Sequence, residues 1–196
     1  GLGDVYKRQP QQVADHLNSM GFAADAEHVV TSAMAACDLG KQYIAESGIE
    51  RPLAYVIGHD SFKQLVADAG FELTETADDN PHVVFHGHSP ENNWARLSEG
   101  ALAIQRGAHY FASNLDTTLP SERGFMVGNG SMVAAVTSAT GVAPQSAGKP
   151  GPALFEVAAR RIGATKPLAV GDRLDTDIAG GNAAGMDTPV SYTHLT

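Results

Sequence analysis

Short apolar runs of β type alternate with runs of helical period along most of this chain, with glycine or asparagine at most of the joins. That alternation confines it to α/β architecture. Pro10 opens a helix whose Val13, Leu17 and Met20 fall at i, i+4 and i+7, and Gly21 is placed to end it. A second helix runs from about Ser32 toward Gly48. The run LAYVIG at 53–58 reads as a strand, followed by Asp60 and Ser61 as candidate N-caps, a short helix through Leu65 and Val66, and a stop at Gly70. FELTET and HVVFHGH read as strands on either side of a turn at 78–81, and HYFAS reads as another. Between them, residues 94–106 read as a helix with Trp94 as a core anchor at its start. The polar segment 114–130 reads as an irregular functional loop before the helix SMVAAVTSAT. The alternation then resumes, with a strand near 145–147, a helix over 152–162, a strand over 168–170 and a helix over 177–184 closed by Gly185.

Composition narrows what such a fold does. At 196 residues the chain makes one large domain or two small ones, since domains run to about 150 residues. With 43% hydrophobic and 18% charged residues it is globular rather than disordered. A net charge of −9 offers no electrostatic footprint for a nucleic acid or an anionic membrane, and both are excluded as main partners. No apolar run approaches the roughly eighteen residues of a membrane span, and no apolar signal core is visible, so a cytoplasmic location is expected. The single cysteine, Cys37, cannot form an intrachain disulfide and reads as a small core residue.

The strongest chemical signal is Gly171-Asp172-Arg173-Leu174-Asp175-Thr176-Asp177, between the strand PLAV and a glycine-rich helix. Ligands of open parallel sheets bind at such strand carboxyl ends. Clustered carboxylates repel unless a cation lies between them, and oxygen-only ligands suit magnesium, with Asp172 the best candidate ligand. Thr176 or Asp177 also suits the N-cap of the last helix. A second element, Gly148-Lys149-Pro150-Gly151-Pro152, again joins a strand to a helix, where an ammonium can meet a phosphate beside a helix N-terminus. The two loops close successive β-loop-α units and are expected to face one crevice. His82, His86 and His88 share a strand face by spacing, but positions four apart lie about 13 Å from each other, so only His86 and His88 can share a metal. A polar strand face or ligand-facing loop is the simpler reading. Ser61 and Ser131 lack a G-x-S-x-G context, Cys37 lacks a paired histidine pattern, and no aspartate stands in a D-x-D-G-T pattern.

Lys149-Pro150 and the stretch Gly171 to Ile178, with GPALFEVAARRIG between them, resemble the third and fourth motifs of haloacid dehalogenase superfamily phosphatases. The nearest branch is the NagD-like, para-nitrophenyl phosphatase and phosphoglycolate phosphatase group. FASNLDTTLPSERGFMVGNGSMVAAV resembles that group's loop and helix before the lysine, and HGHSPENNWARL resembles part of its large cap domain. The resemblance implies magnesium-dependent hydrolysis of a small phosphorylated metabolite, a phosphate monoester, through a phosphoaspartate. It implies that Lys149 binds the phosphoryl group and that Asp172 and Asp177 form the metal site, with Asp172 the direct ligand and Asp177 supporting the metal's water shell or the lysine. Asn114 and Asp116 are implied at the substrate. The implied fold is an incomplete doubly wound, Rossmann-like core, 10–50 and 141–189, with an inserted α/β cap domain at 51–140. The family's nucleophile and serine-asparagine motif would precede Pro10 and are not in the chain, so these residues are expected to be inactive alone. Residues 1–9 and 190–196 are expected to be a non-native leader and tail. A cap surface can mediate a homodimer, and no residue pattern decides it. The alternative from another class is a non-catalytic module that binds an anionic phosphorylated metabolite through Lys149 and the acidic loop.

Overall fold

A computed structural model describes residues 10–191. They form two compact units, one of residues 36–146 and one of residues 10–35 with 147–191. The architecture is α/β, as the alternation requires.

The first unit is built on a parallel sheet of five strands in the order β2-β1-β3-β4-β7. These are β1 (Leu53–Ile57), β2 (Glu72–Thr74), β3 (Val83–His86), β4 (His109–Ala112) and β7 (Gln145–Ser146). Strands covered on both faces lose the alternation of apolar and polar residues, and every residue of β3 is buried. One face carries Phe85, stacked on Phe111 at 5.4 Å between ring centroids, with Phe62 of α3 (Asp60–Asp68) meeting it edge-on. Gly40 of α2 (Ser32–Ser47) lets that helix close on the same ring, since a Cβ there would collide with Phe85. Residues of α4 (Trp94–Gln105) and α5 (Asn129–Thr140) cover the other face, with Leu97, Ala101, Ile104, Val133 and Val136 against Tyr55, Ile57, Val84 and Tyr110. Cys37 is buried, as expected of a small core residue.

Several local expectations are corrected. Trp94 is 83% exposed and anchors nothing: the stripe facing the sheet begins one turn later, at Leu97. The cap of α3 is His59, whose Nδ1 accepts the Ser61 N–H at 3.2 Å, rather than Asp60 or Ser61. Residues 114–130 are not wholly irregular, for β5 (Thr118–Ser121) and β6 (Gly124–Val127) form an antiparallel hairpin. Pro120 is tolerated there because a two-stranded ribbon has free edges where a missing N–H costs no ladder bond. Gly124, at φ +115°, takes a backbone conformation that side chains avoid.

The second unit holds α1 (Pro10–Ser19), α6 (Ala153–Arg161) and α7 (Ala179–Ala183). Residues 168–171 and 187–190 run parallel through isolated bridges, Leu168 to Asp187 and Gly171 to Val190, rather than as the full strand expected over 168–170. A π-helical turn, Leu174–Ile178, leads into α7, so neither Thr176 nor Asp177 is the cap of a helix starting at 177. The expected leader at 1–9 lies outside the described residues, as do residues 192–196 of the expected tail. Among the described residues no helix is long and apolar enough to cross a membrane.

Candidate functional site

The acidic loop and the lysine loop meet in the second unit. Lys149 Nζ donates to Asp177 Oδ1 at 2.5 Å, with the lysine side chain 40% exposed and the aspartate 15%. The two loops, expected to face one crevice, are joined by this ion pair. Asp177 Oδ2 also accepts the Arg173 N–H at 3.3 Å. Burial alone would raise the Asp177 pKa, but the hydrogen bonds from Lys149 and the backbone of Arg173 outweigh it and hold the carboxyl below the usual range. Gly171 makes this approach possible, because a Cβ there would strike the Asp177 side chain. Gly180 and Gly181 act in the same way beneath the loop: added carbons would meet Phe155, and Ala169 with Thr188, respectively. The glycines of this stretch thus serve close packing.

The other two carboxylates of the loop are placed differently. Asp175 pairs with Arg173 at 3.1 Å on the exposed side, and that hydrogen bond lowers its pKa. Asp172 is exposed, and its carboxylate has no cationic partner among the described residues. Lys149 keeps donors beyond the one given to Asp177, since an ammonium has three. Asp177 is thus held by an ammonium from the preceding loop, while the exposed carboxylate of Asp172 stands five residues earlier on its own loop.

Asn114 and Asp116 lie in the first unit, past the end of β4, and both line a cleft with His88, Thr118, Leu119, Gly128 and Asn129. Asn114 is buried, and its Oδ1 accepts the Asp116 N–H at 3.2 Å. Asn129 Nδ2 donates to the Asn114 carbonyl at 2.8 Å. Gly128 and Gly130 bring the start of α5 against this segment, where Cβ atoms would collide with the carbonyls of Asp116 and Leu115. Sequence reasoning missed Asn129, and the signal available was the pair of glycines on either side of it. Of the histidines read as a polar strand face or ligand-facing loop, His88 lines this cleft and His86 does not. His86 is fully buried with Nδ1 2.8 Å from Tyr110 Oη, so it does not face a ligand. His82 Nδ1 accepts the Leu53 N–H at 3.0 Å, a register contact at the start of the sheet. Among the described residues no group of three or more histidine, cysteine or carboxylate side chains is poised to hold a metal.

Two family models match the chain, a haloacid dehalogenase-like hydrolase model over residues 6–72 and a HAD-hydrolase-like model over residues 146–190. The chain is 36% identical over 191 residues to a 5′-nucleotidase of Bacillus subtilis, covering 96% of this chain and 72% of that protein. The chain belongs to the haloacid dehalogenase-like hydrolase family. This is the family that the lysine and acidic motifs resemble. A D-glycerol 3-phosphate phosphatase of Mycobacterium tuberculosis is 45% identical over 186 residues, covering 95% of this chain and 52% of that protein. The crystal structure of a glycerol phosphate phosphatase from the same organism, in complex with magnesium, superposes with a TM-score of 0.82 at 44% identity, over 92% of this chain and 54% of the other. This haloacid dehalogenase-like chain thus spans about half the length of the mycobacterial relative.

Proposed function

We propose that this chain carries the lysine and metal arms of a magnesium-dependent phosphate monoester hydrolase acting on a small phosphorylated metabolite in the cytoplasm. The observation that carries the reading is the Lys149–Asp177 ion pair at 2.5 Å, with Asp172 on the same loop. In this reading Lys149 binds a phosphoryl oxygen and Asp177 holds the ammonium in place. Asn114 and Asp116 contact the substrate from the cap, residues 51–140, while 10–50 and 141–189 form the core. The donor set suits magnesium: Asp172 offers an exposed carboxylate, and this ion is commonly held by one or two carboxylates with waters and phosphate oxygens completing its shell. Asp177, already engaged by Lys149, supports the ion indirectly. When bound, magnesium neutralises charge on the phosphoryl group. The phosphatase names of the relatives support the reaction class, and the mycobacterial complex with magnesium supports the ion.

The full reaction is proposed to pass through a phosphoaspartate. No aspartate of the chain stands in a D-x-D-G-T pattern, so these residues are proposed to bind phosphate without turning substrate over by themselves. The test is para-nitrophenyl phosphate turnover and orthophosphate binding, each with magnesium and with a chelator. The expected result is no turnover, with magnesium-dependent binding that Lys149→Ala weakens at least tenfold. Magnesium-dependent turnover by the 196 residues overturns the inactivity, and phosphate binding indifferent to Lys149→Ala overturns the role of the lysine.

A further inference from the structure

β3 ends on His86, a fully buried histidine inside the first unit. Burial lowers its pKa from 6.5 to about 3, with no charged group contributing, so the ring is neutral through the ordinary pH range and carries one N–H. Nδ1 faces the Tyr110 hydroxyl at 2.8 Å. Nε2 has no partner among the described residues, and neither have Asn92 Oδ1 and Asn129 Oδ1, all three atoms being buried. The two amides cannot turn over to relieve this. Asn92 Nδ2 donates to the Gly87 carbonyl at 3.0 Å, while Asn129 Nδ2 donates to the Asn114 carbonyl at 2.8 Å and reaches the His86 carbonyl at 3.5 Å. Both side-chain oxygens are thereby fixed as acceptors, and both amides are tied to the peptide groups of His86 and Gly87.

We propose that one internal water closes all three groups, accepting the Nε2–H of His86 and donating to Asn92 Oδ1 and Asn129 Oδ1. The stoichiometry is complete: one accepted and two donated hydrogen bonds match one donor and two acceptors, within the two to four partners typical of buried water. The tautomer follows, with the proton on Nε2 and the Tyr110 hydroxyl donating to Nδ1. A buried cation would have to be held without a counter-charge, which is costly, and no carboxylate acts on His86. His86 thereby becomes a positioning residue. Through the water it ties the end of β3 to Asn92 ahead of α4 and to Asn129 at the start of α5, and Asn129 grips the carbonyl of Asn114 in the cleft. This inference stands independently of the phosphatase reading.

The test is nitrogen-15 correlation of the histidine rings in the intact chain at neutral pH, with magnetisation transfer from water. The expected result is an Nε2–H tautomer whose proton exchanges slowly and shows a contact to water. In Asn92→Ala, which removes one acceptor from a half-buried loop position, that proton should exchange at least tenfold faster while the ring stays neutral. An Nδ1–H tautomer, an Nε2 proton without a water contact, or exchange unchanged in Asn92→Ala each overturns the proposal.

Discussion

The two units build polar sites in opposite ways. In the first, polar side chains at the strand ends are buried and wired to backbone carbonyls, as Asn129 is to Asn114. In the second, the proposed site joins a partly exposed lysine to a half-buried aspartate, and its geometry is set by that ion pair and by glycines that leave room for it. A buried amide network is held by the same packing that holds the fold, so it is rigid and costly to alter. A partly exposed lysine held by one half-buried carboxylate contributes little to the fold, and in the proposed function it is the group that trades partners with a ligand.

That contrast can be broken most forcefully from within the first unit. Phe85→Ala removes the ring on which Phe62, Phe71 and Phe111 converge, and truncations of buried phenylalanine cost about 3–5 kcal/mol. Denaturant unfolding should show that loss; a midpoint within error of the parent chain would mean the sheet does not depend on this stack. Gly171→Ala tests the second unit with a smaller effect, about 1–3 kcal/mol as for other overpacked sites. Circular dichroism should show the first unit's structure unchanged, while the Lys149–Asp177 contact, followed by nitrogen-15 shift of the lysine ammonium, is lost. Retention of that contact would show that the loop has slack the structure does not display. The smallest effect belongs to the ion pair itself. A double-mutant cycle on Lys149 and Asp177 should give a coupling below about 1 kcal/mol for so exposed a lysine. Because the folded pKa of Asp177 is depressed, its contribution is present above the unfolded value of about 3.9 and disappears as pH falls from there through the lower folded value. Coupling that did not decline as pH falls below the unfolded value would contradict the assignment.

What the sequence disclosed follows the same division. The apolar runs of β1, β3 and β4 announced strands of an α/β fold, and the spacing of glycine with three acidic residues announced the loop. The β5–β6 hairpin was hidden because Pro120 argues against a strand and because the four residues of β6 are all exposed, leaving no alternation to read. His86 was misplaced for a related reason. Period-two reasoning assumes one wet face, and a strand buried on both sides has none. Trp94 misled by its size, since bulk suggests a core position while its place one turn ahead of the stripe leaves it in water. Asn129 was missed because an asparagine at a helix start reads the same whether it faces solvent or holds a neighbouring carbonyl, and only the flanking Gly128 and Gly130 marked the close approach.

Gly171 carries no functional group, yet the space it leaves is occupied by the Asp177 side chain. Every missense change of a glycine codon adds at least one carbon, so no conservative replacement exists at this position. In a saturation scan read by ligand binding, the column for residue 171 would be uniformly intolerant. The geometry of the loop thus resides partly in a residue whose contribution is empty space.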